Sequence, residues 1–459
     1  MTTAPVHPGD FEPSLVADRT YASRRRYARV DVAVVLSVMI CLLDLLPSRL
    51  VVPSLTAVGR PALVLALLLW CWWVMVRLNP RLLLVGPQPM RWVVFIYLIS
   101  ILVSYAVGFL RGLTVMEANG ADRALLAAAE FTGVILIAAD GLPNWERLKS
   151  VLQVWVWCSG FMATLGILQF VTRIDLTQYM LLPGLQLQAG LAGLEERGAG
   201  GLFRVASTTT HYIEFSAVMA MALPFAIHFA RFHPNPRRRR RFIVAALLIA
   251  GAIPVTLSRT GIVALGIGLL VMLPIWGWRM RYNVLSFATG LVMMLAAVKP
   301  GLLGTIKSLF TGASEDPSVT GRTERYGLVG HYFVQRPWLG RGTGTWIPPM
   351  YQILDNQWLG VALSNGVLGV VALAAMHLGG IILAAIALRR STRAEDRHLC
   401  TALIAVQLAA IVVEGTFDAL AFSTYAATLS LLIGFCGTVW RFTHPARTVR
   451  TSAVRSYAD

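Results

Sequence analysis

Twelve stretches of the chain are nearly free of charge and rich in Ala, Val, Leu and Ile: about 31–47, 61–77, 92–110, 124–139, 150–171, 212–230, 242–257, 261–277, 283–298, 362–388, 399–415 and 421–440. A bilayer core takes roughly 20 apolar residues as a helix. With no water in the hydrocarbon, the backbone of such a run must hydrogen-bond to itself, which makes it helical. The pattern predicts an all-α integral membrane protein with about 12 transmembrane helices. Composition agrees: 14% of the 459 residues are charged, against about 25% in ordinary soluble domains. A soluble globular enzyme, a disordered chain and a disulfide scaffold are excluded. No nucleic-acid partner is expected, because few charges remain once the apolar runs are removed. The five cysteines lie in or beside apolar runs, with no close pair in sequence, and read as buried small hydrophobes. The His residues are scattered, no two at i, i+4, so no metal site is expected.

The net charge is nevertheless +17, from 40 Lys+Arg against 23 Asp+Glu. Cytoplasmic loops carry the excess of Lys and Arg in membrane proteins. With the N-terminus inside, the inner segments hold 26 of these cations and the outer ones 14. The run Arg237 to Arg241 then falls in an inner loop, and 416–420 on the outside has no cation. Both termini are thus expected in the cytoplasm. Residues 1–30, with Arg24, Arg25 and Arg26 and no small-residue cleavage site, read as a cytoplasmic tail rather than a signal peptide. Helices one to nine would fill 31–298, with an outer loop at 172–211. A large extracytoplasmic loop at 299–361 would follow, then helices ten to twelve over 362–440 and a cytoplasmic tail at 441–459. Long loops are usually functional or disordered. Helix-like stretches at 302–310 and 323–335 suggest that the second one folds as a small cap.

Ionisable residues inside spans are costly and need a reason. Here they are Asp44, Glu130, Glu214 and Glu414, with Asp418 and Arg259 at edges. Pairing inside the bundle is the plain reading for Asp44 and Glu130; for Glu214 and Glu414, near predicted outer ends, structure and function stand open. Three polar clusters gather on the predicted outer face. The first runs from Arg204 through Ser207, Thr208, Thr209, Thr210 and His211 to Glu214. An N-cap with an interface anchor would explain its hydroxyls; a substrate site would explain the Arg, His and Glu together. The second is Ser258-Arg259-Thr260-Gly261, a tight turn between two apolar helices. Arg259 either snorkels to lipid headgroups or binds phosphate, for which its planar fork is suited. The third lies in the long loop: Gly321-Arg322-Thr323-Glu324-Arg325, then Arg336-Pro337-Trp338-Leu339-Gly340-Arg341-Gly342-Thr343-Gly344, Asp355-Asn356, and Asn365-Gly366 with Gly369. The glycine-rich piece resembles a phosphate-cradling loop. Asp355 is either an N-cap or a general base.

Jointly these clusters resemble the O-antigen ligase and Wzy-type polymerase family. Ser258 to Gly261 match its Ser-Arg-Thr-Gly turn, Gly321 to Thr323 its loop start, and Arg336 to Gly342 its Pro-Leu-Gly-x-Gly piece. Asp355-Asn356 stand where the family has His-Asn, and Asn365 where it has Glu. The motifs span about 150 residues. The resemblance implies a GT-C-like glycosyltransferase architecture in the cell inner (plasma) membrane, with its active site on the extracytoplasmic face. It implies a glycan on a polyprenyl pyrophosphate as donor, a glycan or lipid acceptor hydroxyl, inversion at the transferred sugar, surrounding membrane lipids as partners, and neither metal nor cofactor. Arg204 and Arg259 match the arginines that face the pyrophosphate, and Asp355 takes the position that serves the acceptor. Arg322, His211, Asn356 and Glu214 are further candidates for substrate contact. The competing reading is a multi-span transporter of a glycan or small molecule. Its sites belong near mid-membrane between repeated halves, whereas the clusters here gather at one face and no twofold repeat is visible.

Overall fold

The computed structural model describes residues 31–55, 59–78, 87–188, 194–197, 202–298, 301–311, 317–348 and 350–445. The predicted tail at 1–30 and the part of the other beyond 445 lie outside the described residues. The chain is mostly helical. The helices are α1 (Val32–Asp44), α2 (Pro61–Leu78), α3 (Pro89–Arg111), α4 (Val115–Gly141), α5 (Trp145–Thr172), α6 (Tyr212–Phe232), α7 (Pro236–Val255), α8 (Arg259–Met272), α9 (Trp278–Val298), α10 (Leu302–Thr311), α11 (Pro317–Phe333), α12 (Gln357–Arg390), α13 (Ala394–Val413) and α14 (Ser423–Phe442). Two short antiparallel pairs join β1 (Leu50–Val51) to β2 (Gln186–Leu187), and β3 (Leu194–Arg197) to β4 (Leu202–Val205).

Each of the twelve apolar runs falls on a helix. Among the described residues nine helices are long and apolar enough to cross a membrane, namely α2 to α6, α9 and α12 to α14. This is a multi-pass membrane protein. Helices α1 and α8 are apolar but only 13 and 14 residues long, about 20 Å at 1.5 Å per residue. Helix α7 is 20 residues long and opens on five arginines. Its start, just after the end of α6, defines one end of the bundle, the arginine end. There Asp140 accepts from Trp73 (3.0 Å), Arg77 (3.0 Å) and Arg91 (2.8 Å), and Lys149 meets Glu395 at 2.7 Å. The start of α6 lies at the opposite end.

Helix packing uses small residues, as it must where lipid is as apolar as the helices themselves. A Cβ on Gly434 of α14 would lie 2.6 Å from the Cβ of Ala138 on α4, and one on Gly133 would lie 2.5 Å from that of Trp70 on α2. The fold also brings together two cysteines far apart in sequence: the Sγ atoms of Cys41 on α1 and Cys158 on α5 are 3.9 Å apart.

Two stretches differ from expectation. The outer segment expected at 111–123 shrinks to 112–114, because α4 starts nine residues before the apolar run. Thr114 and Glu117 form a capping box, with bonds of 3.2 and 3.1 Å. Arg111 neutralises Glu117 at 2.7 Å, so the polar turn can stay helical. Helix α12 is broken at Gly366 (φ 64°, ψ −162°). The break frees the carbonyls of Leu363 and Ser364, which accept from Arg341 N–H (2.9 Å) and Gly342 N–H (3.0 Å). In return Val367 and Leu368 donate to the carbonyls of Pro337 (2.8 Å) and Trp338 (3.1 Å). Gly340 N–H donates to Arg336 at 3.1 Å. The glycine-rich loop therefore mends a broken helix, and its Gly340, Arg341 and Gly342 amides are used by the chain.

Gly366 is required by both its φ and its space, since an added Cβ would sit 2.4 Å from the carbonyl carbon of Trp338. Gly366→Ala is expected to destabilise the protein by at least the ~1–3 kcal/mol of one strained residue, read as a lowered melting temperature in detergent. An unchanged melt would show that the break tolerates a side chain.

Candidate functional site

The site is built where α6, α8, α12 and α14 begin. Strand β4 leads into α6 through the first polar cluster. Ser207 has a left-handed φ of 53°; its N–H donates to Gln169 Oε1 (2.9 Å) and its hydroxyl to the Met162 carbonyl (2.7 Å). Thr208 donates to the Asp44 carbonyl at 2.7 Å. These hydroxyls pin the segment to α5 and α1, the structural half of what the sequence left open. Glu214 is fully buried. Its Oε2 accepts from the N–H (3.0 Å) and hydroxyl (2.8 Å) of Thr210; its Oε1 accepts from the N–H groups of Thr424 (2.8 Å) and Tyr425 (3.2 Å). A carboxylate at the positive N-terminus of α14 is favourable, and it ties α14 to α6. Arg60 reinforces the joint, donating to the Leu43 carbonyl (2.5 Å), Thr424 Oγ1 (3.0 Å) and Ser423 Oγ.

Arg204 and His211 stand at the mouth of α6. Arg204 Nη1 donates to Tyr212 Oη at 2.5 Å and meets Glu195 Oε1 at 3.1 Å; its guanidinium lies 4.3 Å from the centre of the Tyr212 ring. His211 is the N-cap of α6, its Nδ1 accepting from Ile213 N–H at 3.2 Å. That bond makes Nδ1 the unprotonated nitrogen. The ring packs on Tyr212 (4.1 Å between centroids) and Phe422 (5.7 Å). Burial pushes the His211 pKa down, while Glu195, Glu214 and Asp355 pull it up and Arg204 lowers it further.

The second cluster meets the first directly. Gly261 packs against α6 so closely that a Cβ there would be 2.5 Å from that of Ser216. Leu257, with φ 52°, turns the chain so that α8 begins at Arg259. Thr260 Oγ1 is 2.8 Å from Thr416 Oγ1. Arg259 is thereby set between the first turn of α6 and the 414–418 turn.

The third cluster reaches the same turn. Asp355 has φ 50° and is held by its own backbone: the N–H groups of Asp355 (3.2 Å) and Asn356 (3.0 Å) donate to the two carboxylate oxygens of Asp418. Burial raises the pKa of Asp418, against the two amide donors and Arg325, which lower it. Asn356 caps α12, accepting from Leu359 N–H at 3.2 Å, and donates to the Gly415 carbonyl at 3.1 Å. The Asp355 carboxylate meets Arg325 of α11 at 2.7 Å. Arg322 lies on α11, one turn before Arg325; its side chain is outside the described residues.

Among the described residues four non-glycine positions have positive φ, and Ser207, Leu257 and Asp355 are three of them, one in each cluster. Such positions cost about 1–3 kcal/mol each and persist only where the surroundings over-determine them. The structure thus joins all three clusters. Arg325, Asp418 and Tyr212 are residues that sequence reasoning passed over. Arg325 follows Arg322 at helical spacing and Asp418 was visible as an edge charge, but their partners were not.

The depressed His211 predicts a pH effect on stability. Between the ordinary value of 6.5 and its lower folded value, the unfolded chain binds the proton that the folded one does not. Stability is therefore lost as pH falls below about 6.5. His211→Gln should melt with a smaller drop between pH 7 and 5.5 than the wild type. Equal drops in both would exclude a buried neutral imidazole.

The family model for O-antigen ligase matches residues 243–374, from the second turn of α7 through α8, α11 and Asp355 to the middle of α12. No curated protein matches the chain. Residues 243–374 carry both Arg259 and Asp355, and over this stretch, less than a third of its length, the chain is similar to the O-antigen ligase family.

Proposed function

We propose that this protein transfers a glycan from a polyprenyl-pyrophosphate carrier to an acceptor hydroxyl on the extracytoplasmic face of the inner (plasma) membrane, with both termini in the cytoplasm. The observation that supports this reading is that the segments carrying Arg204 and His211, Arg259, and Asp355 all pack on the 414–425 stretch, at the end of the bundle opposite the five-arginine run. The same orientation makes α1, α7 and α8 crossing helices and the 299–361 segment an outer cap.

The donor arrives with its sugar already activated, so the reaction calls for neither a nucleotide nor a metal. As the glycosidic bond breaks, its electron pair goes to the pyrophosphate oxygen. Arg259 and Arg204 would stabilise that charge as it develops, an electrostatic contribution of the oxyanion-hole kind. Helix α8 favours an anion too. It begins at Arg259 with no side-chain cap from Ser258, and the exposed N–H groups of a helix start attract phosphate. Further along the two helices a small, shallow apolar recess lies between α6 and α8, lined by Ala220, Leu223, Pro224, Leu265, Gly268 and Met272 with Trp276. A polyprenyl tail would lie along it. Asp355 would take the acceptor proton, and attack from the far side of the sugar would invert the anomeric centre. Arg322 is a second cation for the pyrophosphate or the sugar. His211, Asn356 and Glu214 shape the site, the last through the joint between α6 and α14.

Asp355→Asn and Arg259→Ala are each expected to abolish surface glycan at unchanged protein level, with glycan accumulating on the carrier lipid. Electrophoresis of envelope glycans from a complemented deletion strain reads both. Wild-type glycan in both variants would remove the assignment.

A further inference from the structure

We propose that Arg325 is a positioning residue for this transfer, holding the Asp355 carboxylate by one oxygen so that the other faces the acceptor; the proposal rests on the reading of Asp355 as the base. Three observations carry it. Arg325 Nη1 donates to Asp355 Oδ2 at 2.7 Å, and among the described residues no hydrogen bond engages Oδ1. The side chains are 21% and 37% exposed, so the pair is worth little as a stabilising contact, and its consequence is orientation. Finally, the backbone beneath Asp355 is fixed independently, by the two bonds from Asp355 and Asn356 N–H to Asp418 and at φ 50°. With the main chain set by Asp418, the remaining freedom of Asp355 is rotation of its side chain, and Arg325 removes it.

A base needs a third group to orient it, whatever the residue types. Here the base is a carboxylate in place of an imidazole. A cation is the partner that suits a carboxylate, and a planar guanidinium fixes its plane as an ammonium does not. Arg325 stands on α11 one turn from Arg322, so the cap helix that brings one cation to the site also aims the base. Its contact with Asp355 itself sets Arg325 apart from the arginines assigned to the pyrophosphate.

The test uses the full-length protein in nanodiscs, with carrier-linked glycan extracted from the deletion strain as donor and envelope membranes of that strain as acceptor. Arg325→Gln should lower kcat about tenfold or more, less than the ~10²–10⁴-fold that a general base contributes, while the donor KM stays within about twofold. Arg325→Lys, which keeps the charge without the fork, should lie between wild type and Arg325→Gln. It also serves should Arg325→Gln fail to accumulate, its kcat then being below wild type at unchanged donor KM. A raised donor KM at unchanged kcat would make Arg325 a pyrophosphate contact and overturn the proposal. So would a wild-type kcat in both variants while Asp355→Asn is inactive. Full activity of Asp355→Asn would instead remove the base itself, an outcome distinct from either.

Discussion

A helix in an apolar surrounding can stop only where something else takes up its unpaired N–H and C=O groups. In this chain the stops that matter are closed from a distance. Glu214 of α6 takes the first amides of α14. Asp418, ahead of α14, takes the amides that lead into α12. The loop around Arg341 takes the carbonyls freed at Gly366. Each closure joins two helices, so the polar atoms these breaks require are also what hold the bundle together at that end. The site is a by-product of this constraint: Asp355 and Arg259 each follow, by no more than two residues, a main-chain turn that another element holds in place.

The same closures decide how the helix N-termini are met. A helix N-terminus is equivalent to about half a positive charge. Those of α14 and α12 are met by Glu214 and Asp418, each with both oxygens engaged. At α8 the Ser258 side chain makes no cap, and the first helical residue is Arg259 rather than a carboxylate. An arginine at the start of an apolar helix packed on α6 suits a ligand with a charged head and a long hydrocarbon tail.

Much of this was legible in the residues. The apolar runs located every long helix, and Ser258 to Gly261 marked the turn that the structure places against α6. Polar clusters at a predicted boundary turned out to be neighbours in space. The failures have physical causes. Apolar counting cannot see a capping box, so α4 was started late, at 124 instead of Val115. Gly340, Gly342 and Gly344 read as a phosphate loop because glycine signals backbone freedom and close approach without saying to what; here the neighbours are Ser364 of α12, Gly108 of α3 and Gly120 of α4. Pairings such as Arg325 with Asp355, 30 residues apart, or Glu214 with α14, 210 apart, depend on tertiary placement that spacing does not encode.

Polar groups deeper in the bundle bear on the choice between transferase and carrier. His377 of α12 lies 3.1 Å from both Gln407 and Glu414, and all three are fully buried. A carrier would need such groups to exchange partners with a passing substrate, near the middle of the membrane and beside broken helices. The break in α12 is instead filled by the chain's own loop, and its His377 is bound to α13 on one side and to the turn after it on the other. What stays partly open to solvent is Asp355 at the bundle's end. A group that must receive a proton from a hydroxyl and release it to water belongs there, at the edge, with its backbone held and one oxygen tethered. The distribution of engaged and accessible polar groups thus favours chemistry at one face over passage through the centre.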